Sequence, residues 1–93
     1  MHNKGWFVYI VECVDNTLYT GITTDLERRI LEHNSKDRGA KYTRYKQPVK
    51  LVYFEYADSR STASKREYEI KKFSRKCKIE LIIQFKGYQC KPN

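Results

Sequence analysis

Hydrophobic positions gather in several short stretches of about the length of a β-strand. Trp6–Cys13 is rich in β-branched and aromatic residues, which favour strands, and Val49–Tyr56 has the same character. Thr17–Ile22 follows a turn signal at Asp15-Asn16, where asparagine can take the left-handed backbone conformation. The pattern therefore predicts a hairpin of the first and second strands and a third strand further along the chain.

Polar residues that cap helices stand before two further stretches. Thr24–Glu27 has the spacing of a capping box, so a helix is predicted to begin there and to run to position 33 or 34. Asp58–Ser61 supplies turn and cap residues before a second helix, which is predicted at about Thr62–Ser74.

The order of these elements predicts the architecture. Cys77–Gln84 is expected to be a further short helix, although the run Ile79–Phe85 also suits a strand, and Gly87–Asn93 is expected to be frayed. No repeat or linker interrupts the chain, so residues 1–93 are expected to form one domain with its core at about 6–85. The order ββαβα(α) predicts an α+β fold, a small three-stranded antiparallel sheet flanked by helices.

The first predicted helix carries two polar side chains beside its apolar stripe. At about 100° per residue, Leu26 and Ile30 define the inward face. Arg29 and His33 lie directly beside them and are four positions apart, so their side chains can meet. An arginine at the edge of an apolar stripe can equally extend its charged end to solvent, so this helix alone leaves both interpretations open.

A carboxylate lies on the inward row of the second predicted helix. Glu67 is in line with Ala63 and Ile70, whereas Glu69 lies on the solvated side. An unpaired buried charge costs several kcal/mol, so Glu67 needs a partner. That partner is either Arg29, in a structural ion pair that the residues alone favour, or a hard metal cation, for which carboxylate oxygen is the preferred ligand.

Two tyrosines on the hairpin are candidates for one shared site, although isolated tyrosines on strands are more often core residues. Tyr9 and Tyr19 share a face of the sheet only if the numbers of paired positions have an even sum. Pairing of Val14 with Leu18 around a three-residue loop meets this condition, and a two-residue loop does not. Gly21 suggests a position where another group comes close to the backbone.

Composition adds an expected partner. The chain has 93 residues, with 19 Lys and Arg against 11 Asp and Glu, and its formal net charge of +8 favours nucleic acid first and an acidic membrane surface second. Cys13, Cys77 and Cys90 are odd in number and lack a CxxC spacing, which predicts reduced thiols in a cytoplasmic protein and neither disulfides nor a zinc knuckle. No apolar stretch reaches the roughly 18 residues of a membrane span, and no secretory signal is recognised.

Cations and aromatic rings are interleaved in the segment Ser35–Pro48, as in surfaces that bind the phosphates and bases of single strands. The candidate nucleic-acid-binding residues of this segment are Arg38, Lys41, Tyr42, Arg44, Tyr45 and Lys46. Lys71 and Lys72 are candidates from a second basic cluster further along the chain. Basic loops and outer helix faces are often merely solvated, so both interpretations remain open.

The hairpin resembles the two motifs that give the GIY-YIG nuclease family its name. Phe7-Val8-Tyr9 looks like the first motif, with Phe7 in place of its glycine. Tyr19-Thr20-Gly21 looks like the second, with Thr20 in place of its isoleucine. Any one such match is weak, and it is their order and spacing with the following helices that make the resemblance specific.

The helices extend the resemblance to nearly the whole chain, from about residue 6 to 85. Arg29 and His33 are similar to the Arg and His of the family's first helix. Residues 63–72 resemble the family's metal-binding helix, and its Glu aligns with Glu67. The likeness is closest to the small stand-alone bacterial branch with a URI-type domain.

This resemblance implies metal-assisted hydrolysis of phosphodiester bonds in DNA, with RNA less favoured, and no organic cofactor. Glu67 would hold one Mg²⁺ or Mn²⁺, and Arg29 would bind the phosphate as charge builds up on it. Tyr9 would act as general base or orient the attacking water, and Tyr19 would position water or phosphate. His33 would accept or relay the proton near neutral pH.

Two alternatives to an enzyme follow from the same residues. The first is a non-catalytic nucleic-acid-binding module that retains the fold, and the second is a protein adaptor that uses exposed aromatic residues against an acidic partner. Single-stranded, branched and damaged DNA are all open as substrates, and the tyrosines of the basic segment favour single strands slightly.

Overall fold

The computed structural model describes residues 5–35, 38, 40–43 and 45–89, with the backbone alone at 88 and 89. In chain order the elements are β1 (Trp6–Glu12), β2 (Leu18–Thr23), α1 (Leu26–His33), a 3-10 turn (Lys41–Thr43), β3 (Lys50–Ala57), α2 (Arg60–Lys71) and α3 (Arg75–Gln89). The predicted order of elements is therefore confirmed. The last helix, α3, covers the run Ile79–Phe85, so the alternative of a strand there is wrong. It continues to Gln89, so the prediction that the chain is frayed from Gly87 onwards is also wrong for residues 87–89. None of the described helices is long and apolar enough to cross a membrane.

The sheet is antiparallel with β1 in the middle, in the order β2-β1-β3. Tyr9 pairs with Gly21 and Val11 with Tyr19, so paired positions have an even sum and the two tyrosines share a face. A two-residue hairpin loop is excluded by this register. Leu18 pairs with Glu12 and not with Val14, so the expected pairing was wrong by two positions although it has the same parity, and the turn includes Asn16 at φ 70.

The two faces of β1 belong to different layers of the core. Val8 and Ile10 lie in a buried cluster with Ala63, Ile70 and Ile82 of α2 and α3. Tyr9 and Val11 point to the opposite face because successive side chains alternate, and their cluster includes Leu26 and Ile30 of α1. The sheet is therefore covered by α1 on one face and by α2 and α3 on the other.

Helix α1 begins one residue later than the capping box predicts. Asp25 has an extended backbone, and its carboxylate accepts a hydrogen bond from the backbone N–H of Arg28 at 3.0 Å. Thr23 stabilises the turn before α1, since its hydroxyl oxygen accepts a hydrogen bond from the backbone N–H of Asp25 at 3.1 Å. The carboxylate thus takes the capping position that the sequence assigned to Thr24.

Helix α2 starts two residues before the predicted position, after the capping residue Ser59. It is fixed to the sheet through Glu55 of β3, whose carboxylate accepts from Arg66 Nε at 2.9 Å and from the hydroxyl of Tyr53. Arg66 also donates to Glu69 at 3.1 Å, and the Glu69 side chain is 61% exposed, as its predicted solvated position requires. Glu67, the residue after Arg66, is thereby held at a defined position relative to the sheet.

The segment between α1 and β3 is fastened to the end of α1 by amide side chains. Asn34 donates to the carbonyl of Val49 at 3.1 Å and accepts from its N–H at 2.7 Å. Gln47 donates to the carbonyl of His33 at 2.9 Å. These bonds bring the 3-10 turn back against α1, which is what carries its residues to the candidate site.

Candidate active site

Tyr9 lies at the centre of the candidate site, on the middle strand. Its side chain is buried, and its hydroxyl oxygen is 2.8 Å from Nε2 of His33. Burial raises the pKa of Tyr9 to about 12, although a hydrogen bond from Arg29 and the positive charge of that guanidinium act in the opposite direction. The phenol is therefore protonated at neutral pH and stands between an imidazole and a guanidinium.

The tyrosine ring fits here because its strand partner is a glycine. A Cβ atom at Gly21 would lie 2.5 Å from the Tyr9 hydroxyl and 2.7 Å from Cζ of that ring. It would also lie 3.2 Å from the ring of Tyr19. The close approach predicted at Gly21 is thus made chiefly by the phenol of Tyr9.

His33 is fully buried and joins α1 to both the sheet and the 3-10 turn. Its Nε2 faces Tyr9, its Nδ1 is 2.8 Å from the hydroxyl of Thr43, and the ring of Tyr19 packs against it edge-on at 5.3 Å. Burial lowers the pKa of His33 to about 4, and the charge of Arg29 adds to this effect. The ring is neutral at pH 7, so it can accept a proton although its own titration lies well below neutrality.

Arg29 turns towards the site and not to solvent. Its Nη1 donates to Glu32 at 2.8 Å and to the carbonyl of Arg38 at 3.2 Å, and its side chain is 24% exposed. Burial acts to lower the pKa of Arg29, but hydrogen bonds to Glu32 and Tyr9 outweigh it and raise the pKa. The guanidinium is therefore a fixed positive charge beside the Tyr9 hydroxyl.

Glu67 approaches the same region from α2. Its side chain is 22% exposed and pairs with Lys71 Nζ at 3.1 Å on the same helix. Its negative charge contributes to the raised pKa of Tyr9, which places it within electrostatic range of that hydroxyl. The structural ion pair with Arg29 that the sequence favoured is not formed, because Arg29 pairs with Glu32 one helical turn along α1.

The one candidate metal ligand, the carboxylate of Glu67, suits a cation that keeps most of its water ligands better than a cation bound entirely by protein side chains. Among the described residues, no group of three or more His, Cys, Asp or Glu side chains could hold a metal ion. Mg²⁺ usually keeps several waters and takes only one or two carboxylates together with substrate phosphate. A single, partly exposed carboxylate at Glu67 fits an ion of that kind.

A ladder of rings and cations leads away from Tyr19. The ring of Tyr42 stacks on it with centroids 5.6 Å apart and an interplanar angle of 28°. Lys46 Nζ lies 4.2 Å from the centre of the Tyr42 ring and 3.2 Å from a carboxylate oxygen of Asp15. Lys71 Nζ lies 6.0 Å from the centre of the Tyr19 ring. Three of the predicted binding residues, at positions 42, 46 and 71, therefore meet beside the candidate site.

The other predicted binding residues are not drawn into this ladder. Tyr45 is 89% exposed, and the side chains of Arg38 and Lys41 are also exposed. Lys72 lies over the ring of Tyr68, 4.6 Å from its centre. Arg44 lies outside the described residues.

Sequence reasoning missed Thr43 and Glu32. Thr43 is fully buried in a segment that was expected to be a basic loop, either binding nucleic acid or merely solvated, and its hydroxyl is hydrogen-bonded to Nδ1 of His33. Glu32 was not considered as a partner of Arg29, yet its carboxylate accepts a hydrogen bond from that guanidinium at 2.8 Å. The one available signal was chemical: a buried neutral histidine needs a partner for each ring nitrogen.

Comparisons with known proteins identify the family to which the chain belongs. The sequence model of the GIY-YIG catalytic domain matches residues 5–80 of the chain. A UPF0213 protein of Desulfotalea psychrophila is 61% identical over 77 residues, which are 83% of this chain and 70% of that protein. A UPF0213 protein of Staphylococcus saprophyticus is 55% identical over 78 residues, 84% of this chain and 94% of its own length.

Two solved structures have the same fold. The solution NMR structure of a UPF0213 protein from Bacillus halodurans has a TM-score of 0.55 and 44% identity, and the match covers 86% of this chain and 84% of that one. The solution NMR structure of a protein from E. faecalis has a TM-score of 0.58 and 38% identity over 100% of this chain and 96% of that one.

Proposed function

Since the chain belongs to the GIY-YIG catalytic domain family, a nuclease superfamily, we propose that it is a metal-dependent endonuclease that hydrolyses phosphodiester bonds in DNA. The observation that carries the proposal is the environment of the Tyr9 hydroxyl. It lies 2.8 Å from Nε2 of the His33 imidazole, and the charges of Arg29 and Glu67 both act on the pKa of Tyr9, in opposite directions. A base, a cation and a carboxylate around one hydroxyl are the parts that water attack on a phosphate requires.

In the proposed reaction a water oxygen attacks phosphorus while the bond from phosphorus to one ester oxygen breaks. Tyr9 takes the proton of this water and passes its own hydroxyl proton to Nε2 of His33, and the departing oxygen takes up a proton from solvent. A free phenolate at Tyr9 is disfavoured by the pKa of about 12 that burial imposes. Concerted transfer to the neutral His33 ring avoids that intermediate.

Arg29 would supply positive charge next to the phosphate, and Glu67 would hold a cation that supplies more. The planar guanidinium of Arg29 is held by Glu32 and by the carbonyl of Arg38, so it is oriented before the substrate arrives. Glu67 is the residue to hold one Mg²⁺ or Mn²⁺, which when bound neutralises charge on the scissile group. Lys71 Nζ lies 3.1 Å from the Glu67 carboxylate and adds a further positive charge there.

The DNA strand is proposed to approach along the ladder of Tyr19, Tyr42 and Lys46. Rings and amines together suit a strand whose bases are unpaired, and Tyr45 offers an open ring nearby. Arg38, Lys41, Arg44, Lys71 and Lys72 remain proposed phosphate contacts. The net charge of +8 supports an anionic partner for the molecule as a whole.

Cleavage assays with the full chain test the proposal. Single-stranded, duplex and branched oligonucleotides of related sequence are incubated with Mg²⁺, with Mn²⁺, or with a chelator. We expect cleavage that requires a divalent ion, and a loss of roughly 100-fold or more in Glu67→Gln and Arg29→Ala, as when a charge-stabilising group is removed. Glu69→Gln is the matched control on the same helix and should cleave like the parent.

Three outcomes would overturn the proposal. Cleavage by Glu67→Gln at the parental rate would remove the metal assignment, and the same result for Arg29→Ala would remove the phosphate role. Binding without cleavage on every substrate and ion would instead support a non-catalytic nucleic-acid-binding module. Circular dichroism of each variant separates a lost reaction from a lost fold.

A further inference from the structure

Thr43 is a fully buried threonine that contacts the candidate site and lies outside the motifs of the hairpin and helices. Its Oγ1 is 2.8 Å from Nδ1 of His33 and 3.1 Å from the carbonyl oxygen of Ala40. Its backbone is fixed at both ends of the turn, because its N–H donates to Ala40 at 3.0 Å and its carbonyl accepts from Lys46 at 3.0 Å. The hydroxyl therefore has little freedom to turn away from the imidazole.

The protons of this hydrogen-bonded chain can be assigned by counting donors. The carbonyl of Ala40 can only accept, so the hydroxyl of Thr43 donates its single proton to it. The hydroxyl oxygen then accepts from Nδ1–H of His33. A neutral imidazole carries one proton, which leaves the lone pair of Nε2 facing the hydroxyl of Tyr9.

The neutral state of the ring follows from its surroundings. Burial lowers the pKa of His33 to about 4, the positive charge of Arg29 lowers it further, and the charge of Glu32 opposes them weakly. The end of α1 and the segment bearing Thr43 are also tied together, since Gln47 donates to the carbonyl of His33 at 2.9 Å. The two bonding partners are thus held in register.

We propose that Thr43 is a positioning residue that keeps the proton of neutral His33 on Nδ1 and so makes Nε2 the acceptor for the proton of Tyr9. Its role in catalysis rests on the proposed nuclease function, whereas the tautomer is a property of the protein alone. In the opposite tautomer Nε2–H donates to Tyr9, and the phenol has no basic nitrogen to which it can release its own proton. The hydroxyl of Thr43 therefore decides whether the proton path from Tyr9 is open.

Long-range ¹H–¹⁵N spectra of the imidazole rings at pH 7.5 test the tautomer without substrate or metal. The chain has two histidines, His2 and His33, so His2→Gln assigns the signals. In the parent we expect the ¹⁵N shifts of a protonated Nδ1 and an unprotonated Nε2 at position 33. Thr43→Ser keeps the hydroxyl and should preserve this pattern, whereas Thr43→Val should lose it.

Thr20→Val is the matched control. Thr20 is also buried, and its hydroxyl has no hydrogen-bond partner among the described residues, so the same chemical change there should leave the His33 spectrum unchanged. In cleavage assays Thr43→Val should be slower by roughly 10- to 100-fold, the usual effect of removing a group that orients a functional histidine. Thr43→Ser and Thr20→Val should cleave at a rate within about twofold of the parent, a much smaller change than the loss expected for Thr43→Val.

A parent spectrum with the proton on Nε2 overturns the inference, and it does so even if Thr43→Val fails to fold. An unchanged tautomer in folded Thr43→Val overturns it as well. If the parent does not cleave any substrate, the proposed function fails while the spectra still decide the tautomer. If the parent cleaves and carries Nε2–H, the proposed function stands and the inference about Thr43 falls.

Discussion

Burial gives His33 a protonation behaviour that the unfolded chain lacks. In the folded protein its pKa is about 4, and in the unfolded chain it returns towards the ordinary value of 6.5. Between these values the unfolded state binds more protons than the folded state. The free energy of unfolding therefore has its full contribution from His33 above about pH 6.5 and loses it progressively as the pH falls to about 4.

This loss is measurable by urea unfolding at pH 7.5, 5.5 and 4.5. At about 1.4 kcal/mol per pKa unit, the contribution of His33 amounts to roughly 3 kcal/mol over the whole window. His33→Gln cannot titrate, so it should be less stable than the parent at pH 7.5 but lose distinctly less stability on acidification. Equal losses in the two proteins would mean that the ring is not held neutral by the fold.

Single residues also show where sequence reasoning stops. Tyr9, Tyr19 and Gly21 could be singled out because strand periodicity and a glycine leave a local signature. Thr43 could not, because its contact with His33 depends on the path of the chain through the nine residues between them. The ion pair between Arg29 and Glu67 was expected because both side chains lie on inward faces of their helices. A helical wheel does not show that Glu32, on the same helix as Arg29, can reach the guanidinium instead.

At the level of elements, the hairpin register decides whether the two tyrosines meet. The sequence could state the condition, an even sum of paired positions, but two loop lengths remained possible. The observed pairing of Tyr9 with Gly21 fulfils it. The start of α1 was misplaced by one residue because Thr24 and Asp25 are both good capping residues, and the extended backbone at Asp25 selects the carboxylate.

Gly21→Ala tests the fit between β2 and β1. The added methyl would lie 2.5 Å from the hydroxyl of Tyr9, so that ring must move and its hydrogen bond to His33 is lost. We expect a loss of roughly 1–3 kcal/mol in the free energy of unfolding, measured with urea, as for other overpacked sites.

The control for this variant is Gly87→Ala in α3. A Cβ atom there meets nothing within 4 Å, and alanine is the better helix former, so the variant should be unchanged or more stable by up to about 1 kcal/mol. A Gly21→Ala variant as stable as the parent would contradict the observed packing of Tyr9 against β2.

At the scale of the whole molecule, the charge of +8 makes salt the most informative variable. Each phosphate contact releases counterions, so the logarithm of the affinity for DNA should fall linearly with the logarithm of salt concentration. Lys72→Gln should reduce the steepness of this line by about 1, whereas Lys72→Arg keeps the charge and should not. Lys46 pairs with Asp15, so Lys46→Gln should change the slope less.

Fluorescence anisotropy of a labelled single strand between low and physiological salt measures these slopes. An affinity that is indifferent to salt would favour the alternative of a protein adaptor over a nucleic-acid-binding protein. Charge thus predicts the class of partner from composition alone. The proposed preference for single strands depends instead on the stacking of Tyr42 on Tyr19, which composition does not reveal.

The middle position of β1 means that the two halves of the candidate site differ in how readily they open. Tyr9 lies on a strand that is paired along both edges, so its amide proton should exchange with solvent only when the sheet itself unfolds. Thr43 lies in a single short turn, whose hydrogen bonds can open in local fluctuations that leave the sheet intact. The amide proton of Thr43 should therefore exchange sooner than that of Tyr9, and warming should disturb the turn side of the site before the sheet melts.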